Sequence, residues 1–197
     1  MTSDILEQIV DDYLQHRGYF TIHNVKFRPD ESNAEYDSQA DCVHSDIDVM
    51  GFNPTEPDPY KRVMAVSCKS WQDGFPASRW VGYLEKGELF HNVPAWKKFR
   101  EISREKWGEA FSKKILEKTG QHHFTHVTAV LYLKGSKEPW EQCELFQRCN
   151  KGNPVQIWTL SEMLDDIHGA LGTTPTFSDV GRLLQVMKAA KWSPGAE

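Results

Sequence analysis

Two short segments concentrate the chemistry of this chain. The first, Asp46-Ile47-Asp48-Val49-Met50-Gly51-Phe52, carries carboxylates at alternate positions; the second, Val66-Ser67-Cys68-Lys69-Ser70-Trp71, closes an apolar run with a lysine. Strand side chains alternate between faces, so Asp46 and Asp48 are expected to share one face, and Ser67 and Lys69 to share one face. The segment from Asn53 to about Lys61 is rich in proline and acid, which predicts a hairpin. A hairpin symmetric about residues 57 and 58 sets Asp48 opposite Ser67 and Asp46 opposite Lys69. Carboxylates and a strand-borne lysine on a shared face are what metal-assisted phosphodiester hydrolysis requires. The plainer alternative for Asp46 and Lys69 is a cross-strand ion pair.

The elements that must position these residues follow from periodicity. Residues 4–17 place Ile5, Ile9, Val10, Tyr13 and Leu14 at helical spacing, and Gly18 follows at the stop position. Residues 19–28 read as a strand and 29–40 as a loop. The two strands of the site span about 41–52 and 62–70. Residues 78–118 are mostly helical with a break near Asn92-Val93-Pro94. Trp71, Trp80, Trp96 and Trp107 interleave with basic residues, a pattern that would allow stacking on bases. Trp96, Phe99 and Trp107, however, read as core at helical spacing, and no site role is assigned. An apolar run at 126–133 predicts a strand, 138–149 a helix and 155–159 a short buried strand. Ser161 is a plausible N-cap for the next helix, and a last helix covers about 178–190. This order predicts an α/β layered fold with a central mixed sheet of four to five strands flanked by helices. One domain over 1–197 is expected, with a core at about 4–170 and a C-terminal helical extension at about 175–197.

Composition narrows the function classes. No apolar run approaches the roughly 20 residues of a membrane span. The N-terminus lacks the basic start and apolar stretch of a signal peptide. Cys42, Cys68, Cys143 and Cys149 show no zinc spacing, so buried reduced thiols and a cytoplasmic protein are expected. The net charge of −5 hides a strong polarity: residues 1–60 hold 13 acids against 3 Lys/Arg, and residues 61–118 hold 13 Lys/Arg against 7 acids. An acidic cluster that holds cations, followed by a basic segment that meets phosphates, is compatible with a metal nuclease. A solvated acidic loop and a solvated helix are the alternative. His122, His123 and His126 lack acidic or cysteine partners and read as a surface or loop cluster at a strand entrance.

In joint order these features resemble the PD-(D/E)xK nucleases, and most closely the Mrr-like restriction endonuclease branch. The resemblance rests on four features: a leading helix with Glu7 ending in Arg17-Gly18-Tyr19, Ile47-Asp48-Val49, Ser67-Cys68-Lys69 with Trp71 just after, and Val155-Gln156-Ile157-Trp158-Thr159-Leu160 leading into a helix. It covers roughly residues 4–170 and implies a restriction-endonuclease-like core. By this resemblance Asp48 binds a divalent metal, Mg²⁺ or Mn²⁺, with the main-chain carbonyl of Cys68 as a further ligand. Lys69 orients the attacking water or stabilises charge on the phosphate, and Glu7 reaches the same site through water or a second ion. Asp46, on the face of Asp48, is a candidate second ligand. Ser67 departs from the family, which has Asp, Glu or Gln there, and serine is a poor ligand for a hard cation. Glu7 also stands three residues after Asp4, the spacing of a capping box. The implied function is a divalent-metal-dependent nuclease acting on DNA, with a homodimer possible. The alternative is a catalytically inactive module of the same fold that binds DNA or a protein partner.

Overall fold

The computed structural model describes residues 4–174, 176 and 178–191. Five strands form one sheet in which chain order and spatial order coincide: β1 (Phe20–Phe27), β2 (Ser45–Phe52), β3 (Val63–Lys69), β4 (Thr125–Val130) and β5 (Val155–Thr159). The first three are antiparallel neighbours, and β3, β4 and β5 run parallel, so the sheet is mixed. All six residues of β4 are buried, as expected of a central strand covered on both faces.

One face of the sheet is covered by α1 (Ile5–His16), α4 (Leu160–Ala170) and α5 (Asp179–Ala189). Leu6, Ile9, Val10 and Leu14 of α1 meet Val49, Met64, Val66, Val127 and Ala129 of the sheet. The apolar stripe recurs at three and four residues, and each such fully buried aliphatic contributes roughly 1.5–3 kcal/mol. Leu184 of α5 joins the same cluster, so the described C-terminal helix packs into the core. The other face carries α2 (Ala77–Lys86), α3 (Glu105–Thr119) and short helical turns at Arg100–Ser103, Glu138–Glu141 and Glu144–Cys149. The predicted helix over 138–149 is therefore two pieces, and the N-cap of α4 is Thr159, in a capping box with Glu162, and not Ser161.

The helical stretch expected at 78–118 breaks earlier than Pro94. Gly87 ends α2 in a left-handed conformation, and Leu89–Phe90 pairs with Val93–Pro94 in a tight ribbon. His91 and Asn92 between them both have positive φ, the geometry of a two-residue hairpin turn. Local turn chemistry thus overrides helical periodicity there.

Strands β1 and β2 share a break that strand alternation does not foresee. Asn24 has φ +52° and faces Asp48 at the one gap in an otherwise continuous register. On one side of the break His23 approaches Asp11 of α1 and Val49 packs on α1; on the other, Val25 and Ile47 pack on Trp107 and Phe111 of α3. Residues of the same parity therefore change faces at Asn24 and Asp48. Asparagine tolerates the left-handed region better than most residues, which makes the switch affordable.

Candidate active site at the split between β2 and β3

The hairpin register matches the sequence reading: Val49 pairs with Val66, Met50 with Ala65 and Phe52 with Val63. The ladder then stops. Beyond Val49 and Val66, β2 stays with β1 as far as Ser45, and β3 stays with β4 as far as Lys69 opposite Val130. The two strands part at Asp48, and the candidate residues line the split.

Asp48 spans the opening. Its Oδ2 accepts a hydrogen bond from the backbone N–H of Cys68 at 2.6 Å. The face switch at this position interrupts the simple alternation from which a shared face of Asp46 and Asp48 is expected, and the charges of Asp46 and Glu7 still act on Asp48. Burial drives the Asp48 carboxyl up to a pKa of about 6, opposed by the charge of Lys69 and the Cys68 N–H, and assisted by the carboxylates of Asp46 and Glu7. Three acidic side chains and one lysine therefore sense one another at the split.

Lys69 comes from the α2/α3 side of the sheet. Its Nζ donates to Ser67 Oγ at 2.8 Å and stands 5.6 Å from the centre of the Phe99 ring. No ion pair joins Lys69 to Asp46 among the described residues; Asp46 is opposite Lys26 of β1 instead. The cross-strand ion pair is thus replaced by an intrastrand hydrogen bond. Ser67 is buried and serves Lys69 as an acceptor.

Glu7 enters from the opposite layer. Asp4 caps α1 by accepting from the Leu6 N–H at 2.9 Å, and its second oxygen accepts from Ser70 Oγ. This cap ties the start of α1 to the end of β3 and sets Glu7 over the split. The carboxyl of Glu7 is raised by burial and by Asp4, with His23 acting in the opposite sense and Asp46 adding to the rise. The thiol of Cys68 is pushed far above its ordinary range by burial and the Asp48 charge, so it is inert as a nucleophile.

Among the described residues no three His, Cys, Asp or Glu side chains are grouped closely enough to hold a metal ion. A site that needs three such side chains is therefore not formed among the described residues. Mg²⁺ asks for less, because it keeps several waters and takes one or two carboxylates together with substrate phosphate oxygens. Asp48, with one carboxylate oxygen beyond its bond to Cys68, fits that requirement. The excess of acid at the split, which raises the Asp48 and Glu7 carboxyls, is what a cation relieves.

The sequence assigns no site role to two groups near the split. His126 is 1% exposed and its Nε2 lies 3.3 Å from Oε1 of buried Glu101, so it belongs to the core and not to a surface cluster. His122 and His123 are exposed, and His123 packs on Tyr60. Burial would raise Glu101, yet the bond from His126 and the more distant charge of Lys69 hold its carboxyl below the ordinary value. The second group is aromatic. Trp107 and Phe99 are core, but Trp71 is half-buried on the wall of an open cleft with Trp80, beginning at Ser70. The signal for it was Trp71 immediately after Lys69.

Comparison with known proteins finds no matching family model, no matching curated protein and no matching solved structure.

Proposed function

We propose that this chain hydrolyses phosphodiester bonds of DNA, with Mg²⁺ or Mn²⁺ held at Asp48 and the Cys68 carbonyl, in a nuclease-like site of the restriction-endonuclease type. The observation that carries the reading is the parting of β2 and β3 at Asp48, whose carboxylate is bonded to the Cys68 N–H and feels the charges of Lys69, Asp46 and Glu7. A divalent ion bound there polarises a phosphate oxygen and lowers the pKa of bound water.

The chain's own residues have separate tasks. Asp48 contributes a hard oxygen ligand whose position is set by the Cys68 N–H. Lys69 holds an ammonium at the mouth of the split, where it offsets the charge developing on phosphate. Ser67 fixes that ammonium through its hydroxyl oxygen, and this is its role in place of a carboxylate ligand. Glu7 acts from the α1 side through water, in keeping with the absence of a group of three acidic, His or Cys side chains among the described residues that could ligate an ion together.

Cleavage of plasmid DNA with Mg²⁺ or Mn²⁺ tests the reading. Lys69→Ala is expected to lower cleavage by about two orders of magnitude or more, the scale of losing one transition-state donor. Mn²⁺ calorimetry on wild type and Asp48→Asn is expected to show binding lost in the variant; equal binding would reject the site. A second reading, a module that binds DNA without cutting, is favoured by the neutral Ser67. Wild-type protein that binds DNA and cuts nothing with either ion would establish it over the first.

A further inference from the structure

The split is flanked by a cleft of about 690 Å³. That volume lies within the roughly 300–1,000 Å³ of clefts that enclose small organic ligands. Its position follows from the end of β3. Trp71 turns back at once, its N–H bonded to the Lys69 carbonyl at 2.8 Å, and Gly74 closes the turn with φ +75°. A Cβ at Gly74 would collide with the ring of Tyr132, so the turn requires glycine. Phe75 then pairs with the segment beyond β4, which brings Lys134 to the cleft wall. The ring of Phe99 lies beneath both Lys69 Nζ, at 5.6 Å, and Trp71, at 6.0 Å between centroids, so the cleft and the split share a floor.

Two properties of the walls identify the ligand. Aromatic rings succeed one another along the wall: half-buried Trp71 on buried Trp80 at 5.0 Å, Trp80 on Phe90 at 4.6 Å, and Phe90 stacked on exposed His91 at 4.2 Å. The cations Arg79, Lys98 and Lys134 are exposed on the same walls, and none forms an ion pair among the described residues. Asp73 is the one acid in the lining. Flat apolar surface at depth with unpaired cations at the rim suits a planar base attached to phosphates. Trp71 is half-buried, its ring packed on Phe75, Trp80 and Phe99, so a base must leave its stack to lie on the part that is open; a single strand permits this at little cost and a duplex does not.

We propose that this cleft binds single-stranded DNA, with an unpaired base on Trp71, which buried Trp80 backs, and its flanking phosphates at Arg79, Lys98 and Lys134. The inference rests on the nucleic-acid reading above and adds to it the state of the substrate beside the scissile bond: unpaired on the Trp71 side of the split.

The test measures anisotropy of a labelled oligothymidylate and of a duplex of equal length, together with Mg²⁺-dependent cleavage. Wild type is expected to prefer the single strand. Trp71→Ala is expected to weaken single-strand binding by roughly 5- to 150-fold, the range for losing one stacked base. Because Trp71 is half-buried, the exposed double variant Lys98→Glu/Lys134→Glu supplies a second arm and is expected to weaken binding at least tenfold. Lys113→Glu/Lys114→Glu, on another face, is expected to change it little. Equal loss from both double variants, no loss from the Lys98/Lys134 pair, or equal affinity for duplex would overturn the cleft proposal. Cleavage by a wild type whose cleft variants bind normally leaves the nuclease standing without the cleft. Cleft-dependent binding by a wild type that cuts nothing with Mg²⁺ or Mn²⁺ upholds the cleft and removes the nuclease.

Discussion

Two clefts of nearly equal size, about 680 and 690 Å³, are lined by cations, and they differ in what those cations face. The first lies along α3 and the loop after β1, with Lys26, Arg28, Lys106, Lys113 and Lys114 among its walls. Its cations are largely spoken for. Lys106 is 2.6 Å from buried Asp41, Lys113 is 3.3 Å from Asp30, Arg28 meets Glu31 and Lys114 meets Glu117. The second, beside Lys69, joins none of its cations to a carboxylate among the described residues, Arg79 being bonded to the Tyr83 hydroxyl, and it carries indole rings on its wall. A count of lysines would rank the first cleft above the second as a phosphate site. The pairing reverses that rank, because an ammonium already beside a carboxylate releases little on meeting phosphate.

The acidic N-terminal segment thus has a use that its composition did not suggest. Part of it folds over α3 and neutralises the basic helix, and only Glu7, Asp46 and Asp48 are left for the split. Asp30 is held at about 2 by the backbone N–H and hydroxyl of Ser32, and then by Lys113.

The largest effect is expected from Asp41→Ala, which undoes the neutralised cleft at its buried anchor. Asp41 is fully buried, bonded to Lys106, to the Trp107 indole N–H at 2.9 Å and to the Asp37 N–H at 2.9 Å. Removing one partner of such a buried pair costs about 3–5 kcal/mol, to be read from urea unfolding. Burial alone would raise the Asp41 carboxyl, but these bonds hold it below its ordinary value of 3.8. Its stabilisation is therefore complete above pH 3.8 and lost as pH falls through the lower folded pKa. Wild type should lose stability in that acid range more than a variant lacking the carboxyl.

A change of intermediate size sharpens the contrast at the split. Asp48 has its pKa raised from 3.8 to about 6, so its folded form favours the proton. The relative stability this supplies is present below pH 3.8 and lost as pH rises through 6, where an ionised, half-buried carboxylate remains. A cation relieves that state. Mg²⁺ is expected to raise the melting temperature at about pH 7.5 and to have no effect at about pH 5, where the ligand is protonated. An equal rise at both values would place the ion elsewhere.

A smaller effect tests the pairing itself. Asp30→Asn releases Lys113 and is expected to steepen the salt dependence of duplex binding along α3 by about one unit of log–log slope, as for one added phosphate contact, while oligothymidylate binding at the Trp71 cleft stays unchanged. The smallest is expected from Lys113→Ala, which removes an exposed pair and should leave the melting temperature unchanged.

Much of the scaffold was legible because its signals are local. The α1 stripe, the buried runs of β3 to β5 and the hairpin about residues 57 and 58 each follow from periodicity within a few residues. The site was legible in part: the hairpin register that brings the Asp48 and Lys69 segments side by side follows from loop symmetry, and the charges of Lys69, Asp46 and Glu7 all act on Asp48. The Ser67–Lys69 bond, the Glu101–His126 pair and the ribbon at 89–94 were not legible. Each depends on a turn or a contact between segments whose spacing carries no period.

Residue chemistry and strand register are properties of the sequence here: which carboxylates and which lysine can stand opposite one another follows from alternation and loop symmetry. Which of them face the same way was decided by tertiary structure, since left-handed Asn24 turns β1 and β2 over at Asp48. Which lysines remain available was decided there too, by where the 29–44 loop lies on α3. The physical reason is range. Alternation and capping act over a few residues, whereas charge neutralisation and face exchange join groups dozens of residues apart, and only the packed chain brings those within a few ångströms.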